Sequence, residues 1–308
     1  MAKIAYRIRN WKTYNKSLVK RGSLTLWVDE NAINNWKSEK TSGKRGRPCI
    51  YSDIAIETGL TLRTLWKIPL RMAQGLLASI FQIMNTRLPV PDYTTLCRRA
   101  AKLDVSLKSH SSQEPRHLVI DSTGLKVFGE GEWHMRTHGK SKRRTWRKLH
   151  LSIDAKTHEI VACTLTRSNV HDSVETKNLL PANDQIAAVY ADMAYDNQKA
   201  YQPIVDVGAK GIIPPRSGAA LMKAKTWGIV ERNRNIRERW FLGKKLWKKA
   251  RNYHRRSLAE TGMFRQKQIL GDRLRSIDFE RQMTEARIRA SILNQMTKLG
   301  MPESYKIV

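Results

Sequence analysis

The stretch Leu118-Val119-Ile120-Asp121-Ser122-Thr123-Gly124 decides how the rest of the chain is read. Three apolar residues make a short buried strand that ends on an acid, and turn formers follow. Beyond it a period of two persists. Leu149, Leu151 and Ile153 alternate with polar neighbours, residues 154–157 turn, and residues 160–165 run back. That pattern predicts an antiparallel meander of three strands. Residues 174–180 read as a helix, 186–190 as a strand ending near Asp192, and 199–207 as a helix. Ile212-Ile213 makes a last short strand before Pro214-Pro215. A basic segment, 216–251, then leads into a late helix that carries Tyr253. The expected class is α/β.

Upstream, residues 106–114 are polar and aperiodic, which marks a domain boundary. Residues 1–110 read as mostly helical: Trp27, Val28, Ala32, Ile33 and Trp36 recur at three and four residues, and 52–68, 70–84 and 94–103 show helical spacing. The organisation expected is therefore a helical domain over 1–110 and an α/β domain over 111–308, with 216–251 as a basic insertion or linker. No internal repeat is present.

The late helix holds the most specific pattern. Tyr253, Arg256, Glu260 and Lys267 follow the spacing Y-x2-R-x3-E-x6-K. At about 100° per residue, a continuous helix would gather them in a wedge of roughly 60°. One acid flanked by two cations and a phenol suits a carboxylate held beside a phosphate. Asp121 and Asp192 each follow a buried strand, and Glu260 arrives from a helix. Three such acids can converge on a pair of divalent metals, since Mg²⁺ takes oxygen ligands and few carboxylates, and two ions serve phosphodiester cleavage. Each acid also has a structural alternative. Asp121-Ser122-Thr123 can start a turn, Asp192 or Asp196 can cap the next helix, and Glu260 can pair with Arg256 four residues earlier. Asp196 is the main rival to Asp192, with Asp154 and Asp172 weaker.

Composition points the same way. The 308 residues carry 57 Lys+Arg against 27 Asp+Glu, a formal net charge of +30, which calls for a polyanionic partner, DNA or RNA. Cys49, Cys97 and Cys163 are far apart and suit neither a zinc site nor a disulfide framework, so a reducing cytosol is expected. No stretch approaches the length of a membrane span.

These residues resemble a known family. Asp121-Ser122-Thr123, Asp192 with Ala194-Tyr195-Asp196, and Tyr253/Arg256/Glu260/Lys267 look like the DDE transposases of bacterial insertion sequences, in the subset with this four-residue signature. The surroundings are most similar to the family numbered five, through Tyr51-Ser52-Asp53, Pro91-Asp92-Tyr93, Arg98-Arg99, Trp146-Arg147-Lys148-Leu149-His150 and Arg255-Arg256-Ser257-Leu258-Ala259-Glu260. The resemblance implies a ribonuclease-H-like catalytic domain and two Mg²⁺ ions, with Mn²⁺ able to substitute, held by Asp121, Asp192 and Glu260. It also implies binding of terminal inverted repeats, hydrolytic nicking at the element ends and attack of the freed 3′-OH on target DNA. Arg256 and Lys267 would contact flanking phosphates, Tyr253 would position the strand, and a homodimer would form on double-stranded DNA. The setting would be the nucleoid of a bacterial cytoplasm. Two other readings are a catalytically silent DNA-binding regulator and a stand-alone metal-dependent nuclease.

Further DNA contacts are expected elsewhere. Arg45-Gly46-Arg47-Pro48 looks like an AT-hook core within 44–48. A helix-turn-helix is expected in 51–103. One version takes Gly59 as its turn, so that Arg63 and Lys67 face the major groove; the other uses a helix carrying Arg98 and Arg99. Arg143 and Arg144 belong to a basic run, 136–148, placed as a phosphate-binding loop. Trp227, Trp240 and Trp247 are interleaved with Lys and Arg; packing is expected for two of them and a base-stacking wedge for one.

Overall fold

The computed structural model describes residues 5–38, 48–107, 109, 114–128, 145–182 and 184–307. The chain forms two compact units, Met1–Val105 with Ser291–Val308, and Ser106–Ala290.

In the first unit, β1 (Ala5–Ile8) precedes α1 (Trp11–Lys20), α2 (Leu24–Trp27) and α3 (Glu30–Asn34). The periodic run from Trp27 to Trp36 is broken because Asp29 caps a new helix, accepting the Ala32 N–H at 2.8 Å. Three helices follow: α4 (Asp53–Leu65), α5 (Leu70–Ile83) and α6 (Tyr93–Ala100). Ser52 caps α4 through the Ala55 N–H, and Asp92 caps α6 through the N–H groups of Thr94 and Thr95. Their core contains Ile56, Leu62, Leu77 and Leu96 with Trp36, which meets Phe81 edge to face at 4.9 Å.

The second unit is built on a five-stranded mixed sheet. Its strands are β2 (Arg116–Phe128), β3 (Thr145–Asp154), β4 (Ile160–Arg167), β5 (Ile186–Tyr190) and β6 (Lys210–Ile212). They lie in the order β4-β3-β2-β5-β6; the meander is antiparallel, and β5 and β6 are added parallel to β2. This is the expected ribonuclease-H-like arrangement. Residues 172–179 form a 3-10 helix rather than an α-helix, and α7 (Gln198–Asp206) joins β5 to β6. Leu118, Ile120 and Val189 face the core under α7, whereas Val119, Ala188 and Tyr190 face Trp247 and Ala259. The basic segment is mostly helix: α8 (Trp227–Ala250) is broken at Gly243, whose φ of 72° only glycine adopts freely. After it come α9 (Ser257–Leu270) and α10 (Phe279–Leu299).

Residues 291–308 group with the first unit, not with 111–290, because β7 (Ser304–Ile307) pairs antiparallel with β1. Four-residue strands from opposite ends of the sequence leave no pattern that a local reading detects.

Candidate active site

β2 does not stop at Asp121; it continues to Phe128 because β3 pairs with it along that length. The acid is placed by where β5 ends instead. The last parallel pair is Val119 with Tyr190. Two residues beyond each partner lie Asp121 and Asp192, so adjacent parallel strands set both acids side by side where β5 ends, in the middle of the sheet. The Asp121 carboxylate accepts the Ser122 N–H at 2.8 Å, and Asp192 caps the 3-10 turn Met193–Tyr195 through the Ala194 N–H at 2.9 Å.

The third acid comes from α9, anchored on the same sheet face by Ala259. Tyr253–Arg256 forms a 3-10 turn rather than the start of a continuous helix, and α9 begins at Ser257. Asn252, with a left-handed backbone (φ 50°), separates this turn from α8, whereas Arg256 and Ser257 are both helical, so the turn runs directly into α9. The signature residues gather even so. Arg256 bridges two acids, donating to Asp121 at 3.2 Å and to Glu260. The Tyr253 hydroxyl donates to the Ala191 carbonyl at 3.2 Å, tying the turn to the residue before Asp192. Lys267 lies two turns beyond Glu260 on the same face of α9, about 10 Å along the axis.

Electrostatics report the crowding. Burial raises the Asp121 pKa, the charges of Asp192 and Glu260 add to this, and the Ser122 N–H and Arg256 oppose it. Burial also pushes the Tyr253 hydroxyl up to about 12, against the pull of Arg256. Burial works against the Arg256 charge, but Asp121, Tyr253, Glu260 and Asp192 outweigh it and raise its pKa. Tyr195, buried in the turn that Asp192 caps, is raised by burial and then by the charges of Asp172, Asp121 and Asp192.

The rival acids are committed elsewhere. Asp196 is 3% exposed; it pairs with Arg232 at 2.8 Å and accepts the Arg216 N–H at 2.9 Å. Asp154 pairs with buried Arg116 at 2.8 Å and caps the β3–β4 turn. Asp172 pairs with Lys148 at 2.9 Å.

An all-oxygen donor set suits a hard divalent cation. Among the described residues, no three Asp, Glu, His or Cys side chains stand close enough to grip one ion as placed. The Arg256 guanidinium stands in as the cation between Asp121 and Glu260, so the local charge is one that a metal ion would match.

Other expected contacts fare unevenly. Arg45, Arg47, Arg143 and Arg144 lie outside the described residues. Gly59 is no turn: it sits mid-way along α4, where an added Cβ would come within 2.9 Å of the Leu96 side chain, so it allows α4 and α6 to approach. Arg63 lies in the last turn of α4, and Lys67 is exposed in the bend after it with φ 53°. On α6, Arg98 is exposed, whereas Arg99 is tied to Asp53 and to the Tyr51 carbonyl. In the basic run, Arg147 is bound to Gln282 and Lys148 to Asp172. Of the three tryptophans only Trp247 packs, 1% exposed; Trp227 and Trp240 are 73% and 62% exposed. Polar anchors that the sequence reading missed are Arg216 and Arg232, which clamp the turn after Asp192; arginines in a basic run look alike until their partners are known.

Two family models, each described as a transposase DDE domain, match residues 19–130 and 112–295. The chain belongs to the DDE transposases. The likeness to the insertion-sequence family numbered five holds as well. Membership makes the chain a DNA-cleaving and strand-transferring enzyme of a family that uses divalent metal ions. Among solved structures, the Drosophila P element transposase strand transfer complex is similar at 12% identity and a TM-score of 0.32, over 94% of this chain and 86% of that one. Among the described residues, no helix of this transposase is long and apolar enough to cross a membrane.

Proposed function

We propose that this transposase binds the terminal inverted repeats of an insertion sequence, nicks the DNA at their ends and joins each freed 3′-OH to target DNA. The observation that carries the reading is the sharing of one guanidinium by Asp121 and Glu260, with Asp192 just past the end of the neighbouring strand. Asp121, Asp192 and Glu260 are the groups that would hold two Mg²⁺ ions, with Mn²⁺ able to substitute. When bound, such ions activate the attacking oxygen and balance charge on the leaving one.

The protein's own groups do the positioning. Arg256, released from the acids, donates charge-assisted hydrogen bonds to a phosphate flanking the scissile bond. Lys267, farther along α9, meets the next phosphate. Tyr253 fixes the turn that holds Arg256 against β5 and orients the strand. In the helical unit, α4–α6 supply a helix-turn-helix in which Arg63, Lys67 and Arg98 contact the end sequence; Arg99, held by Asp53, positions α6 instead. Arg45, Arg47, Arg143 and Arg144 add phosphate or minor-groove contacts. Two ends require two active sites, hence a homodimer on DNA, working at the bacterial nucleoid.

The test is incubation of the purified protein with labelled element ends, a plasmid target and Mg²⁺, beside Glu260→Ala and Asp192→Asn. Joined products from the wild type alone support the reading. Nicks without joining indicate a nuclease, and end binding with neither product indicates a regulator.

A further inference from the structure

The strands β1 and β7 carry the same pattern, Ala5-Tyr6-Arg7-Ile8 and Ser304-Tyr305-Lys306-Ile307: a small residue, tyrosine, a cation and isoleucine. Their antiparallel register sets Tyr6 opposite Lys306 and Arg7 opposite Tyr305. Side chains alternate between faces along a strand, so each face of this ribbon presents one tyrosine beside one cation. Tyr6 is 65% and Tyr305 40% exposed, and Arg7, Ser304 and Lys306 are exposed too. Among the described residues no third strand joins either edge.

A two-stranded ribbon without a buried face is marginal by itself in water. This one is clasped at its base: the Asn10 amide donates to the Met301 carbonyl at 3.0 Å, its oxygen accepts the Glu303 N–H at 2.9 Å, and the Arg9 N–H donates to the Glu303 carbonyl at 2.7 Å. The clasp holds the ribbon at one end; Arg9 lies over the Tyr305 ring at 5.9 Å and adds a further cation beside that face. Among its described side chains only Ile8 and Ile307 are half-buried and none is fully buried, and the exposed tyrosines and cations suit contact with a polyanion.

We infer that the β1–β7 ribbon is a DNA-contacting element that lies in a groove of the duplex. This rests on the reading that the protein works on duplex DNA. A major groove about 12 Å wide admits a two-stranded ribbon. Arg7 and Lys306 reach phosphates from opposite faces, and the tyrosine hydroxyls are suited to phosphate or sugar contacts. The competing occupant is a second copy pairing with an open strand edge. Stacking two such ribbons would bring like charges together in a chain already at +30, which favours DNA.

The test measures duplex affinity by fluorescence anisotropy over a range of salt, using the full-length protein. Two ribbon variants are compared: Arg7→Ala with Lys306→Ala, and Arg7→Gln with Lys306→Gln, which keeps long side chains and strand pairing. Losing two phosphate contacts should lower the slope of log affinity against log salt by about 1.8. Affinity at 0.1 M salt should then fall roughly 60-fold, if the electrostatic contribution vanishes near 1 M. The swap Arg7→Lys with Lys306→Arg should bind like the wild type. An unchanged slope in both ribbon variants, while Lys67→Ala with Arg98→Ala lowers it, would overturn the ribbon's role and leave DNA binding intact. A wild type without duplex affinity would remove the underlying reading as well. A DNA-free dimer that dissociates in the ribbon variants, seen by sedimentation, would assign the ribbon to self-association and overturn the inference.

Discussion

Replacing Arg232 by Met tests whether Asp196 is a structural acid and Asp192 the functional one. The Asp196 side chain is fully buried and its partner's nearly so, with 2.8 Å between them. Methionine fills much of the space but removes the cation. Breaking a buried pair from one side costs about 3–5 kcal/mol, because the remaining charge is stranded. The Arg216 N–H still donates to Asp196 at 2.9 Å, so the lower end, about 3 kcal/mol, is expected. For a unit of this size, that lowers the melting temperature by roughly 6–12 °C. Urea denaturation of Arg232→Met, Asp196→Asn and the double variant gives the coupling directly. The double variant should be more stable than the two single losses imply, by about 0.5–3 kcal/mol. Well below the melting temperature, Asp196→Asn should still cleave DNA and Asp192→Asn should not. A cost under about 1 kcal/mol for Arg232→Met would refute the reasoning. So would an Asp196→Asn protein that folds like the wild type yet cleaves nothing.

Three further outcomes follow from the same geometry. Gly59→Leu drives a side chain into Leu96, which already lies 2.9 Å from the modest Cβ of an alanine; overpacking should cost about 1–3 kcal/mol, and amide exchange should quicken over 53–100 but not over 116–128. Arg256→Ala should weaken the cleavage complex far more than initial binding to element ends, read by gel shift against cleavage rate; equal losses would place Arg256 in recognition instead. Burial raises the native pKa of Asp121, so the native carboxyl takes a proton before the unfolded one does. Its contribution to stability is therefore fully present below the unfolded pKa and is lost as pH rises through the raised native value. Melting curves from pH 4 to 7 without divalent ions should show this slope in the wild type and lose it in Asp121→Asn; an identical slope in both would place the proton elsewhere.

The sheet was legible because its signals are local. Alternation at Leu149, Leu151 and Ile153 and the apolar run at 186–190 each give a strand without knowledge of its neighbours. What escaped depends on partners distant in sequence. In α10, Gln282, Thr284, Glu285, Arg289 and Asn294 are all buried, with Glu285 and Arg289 paired at 2.8 Å. Gln282, Glu285 and Arg289 are met chiefly by the backbone of residues 271–277, so polar residues occupy buried positions and no clean apolar stripe is left to detect. In α8 the density of Lys and Arg hid a helix whose buried side includes Ile229, Ile236 and Trp247. Gly59 misled for a related reason: glycine serves turns and close helix contacts alike, and only Leu96 tells which.

The acids show why the site was legible only as a set. Asp154 has Arg116, Asp172 has Lys148, Asp196 has Arg232 and Glu285 has Arg289. Each of these carboxylates is matched by a cation of its own, which is how a folded protein tolerates charge away from water. Asp121 and Glu260 instead share Arg256, and Asp192 adds its charge nearby, three negative charges around one positive. In a chain with thirty surplus cations, that deficit is not a shortage of arginine or lysine. It persists because Arg256 is divided between Asp121 and Glu260, and among the described residues no ion pair meets Asp192, just past the end of β5. Charge of that sign, amount and place would be balanced by one divalent ion, and a second would be balanced by the DNA phosphate it accompanies. The same accounting explains why no single acid could be chosen from sequence alone: what sets the three candidate acids apart is that one cation serves Asp121 and Glu260 together while no ion pair meets Asp192 among the described residues.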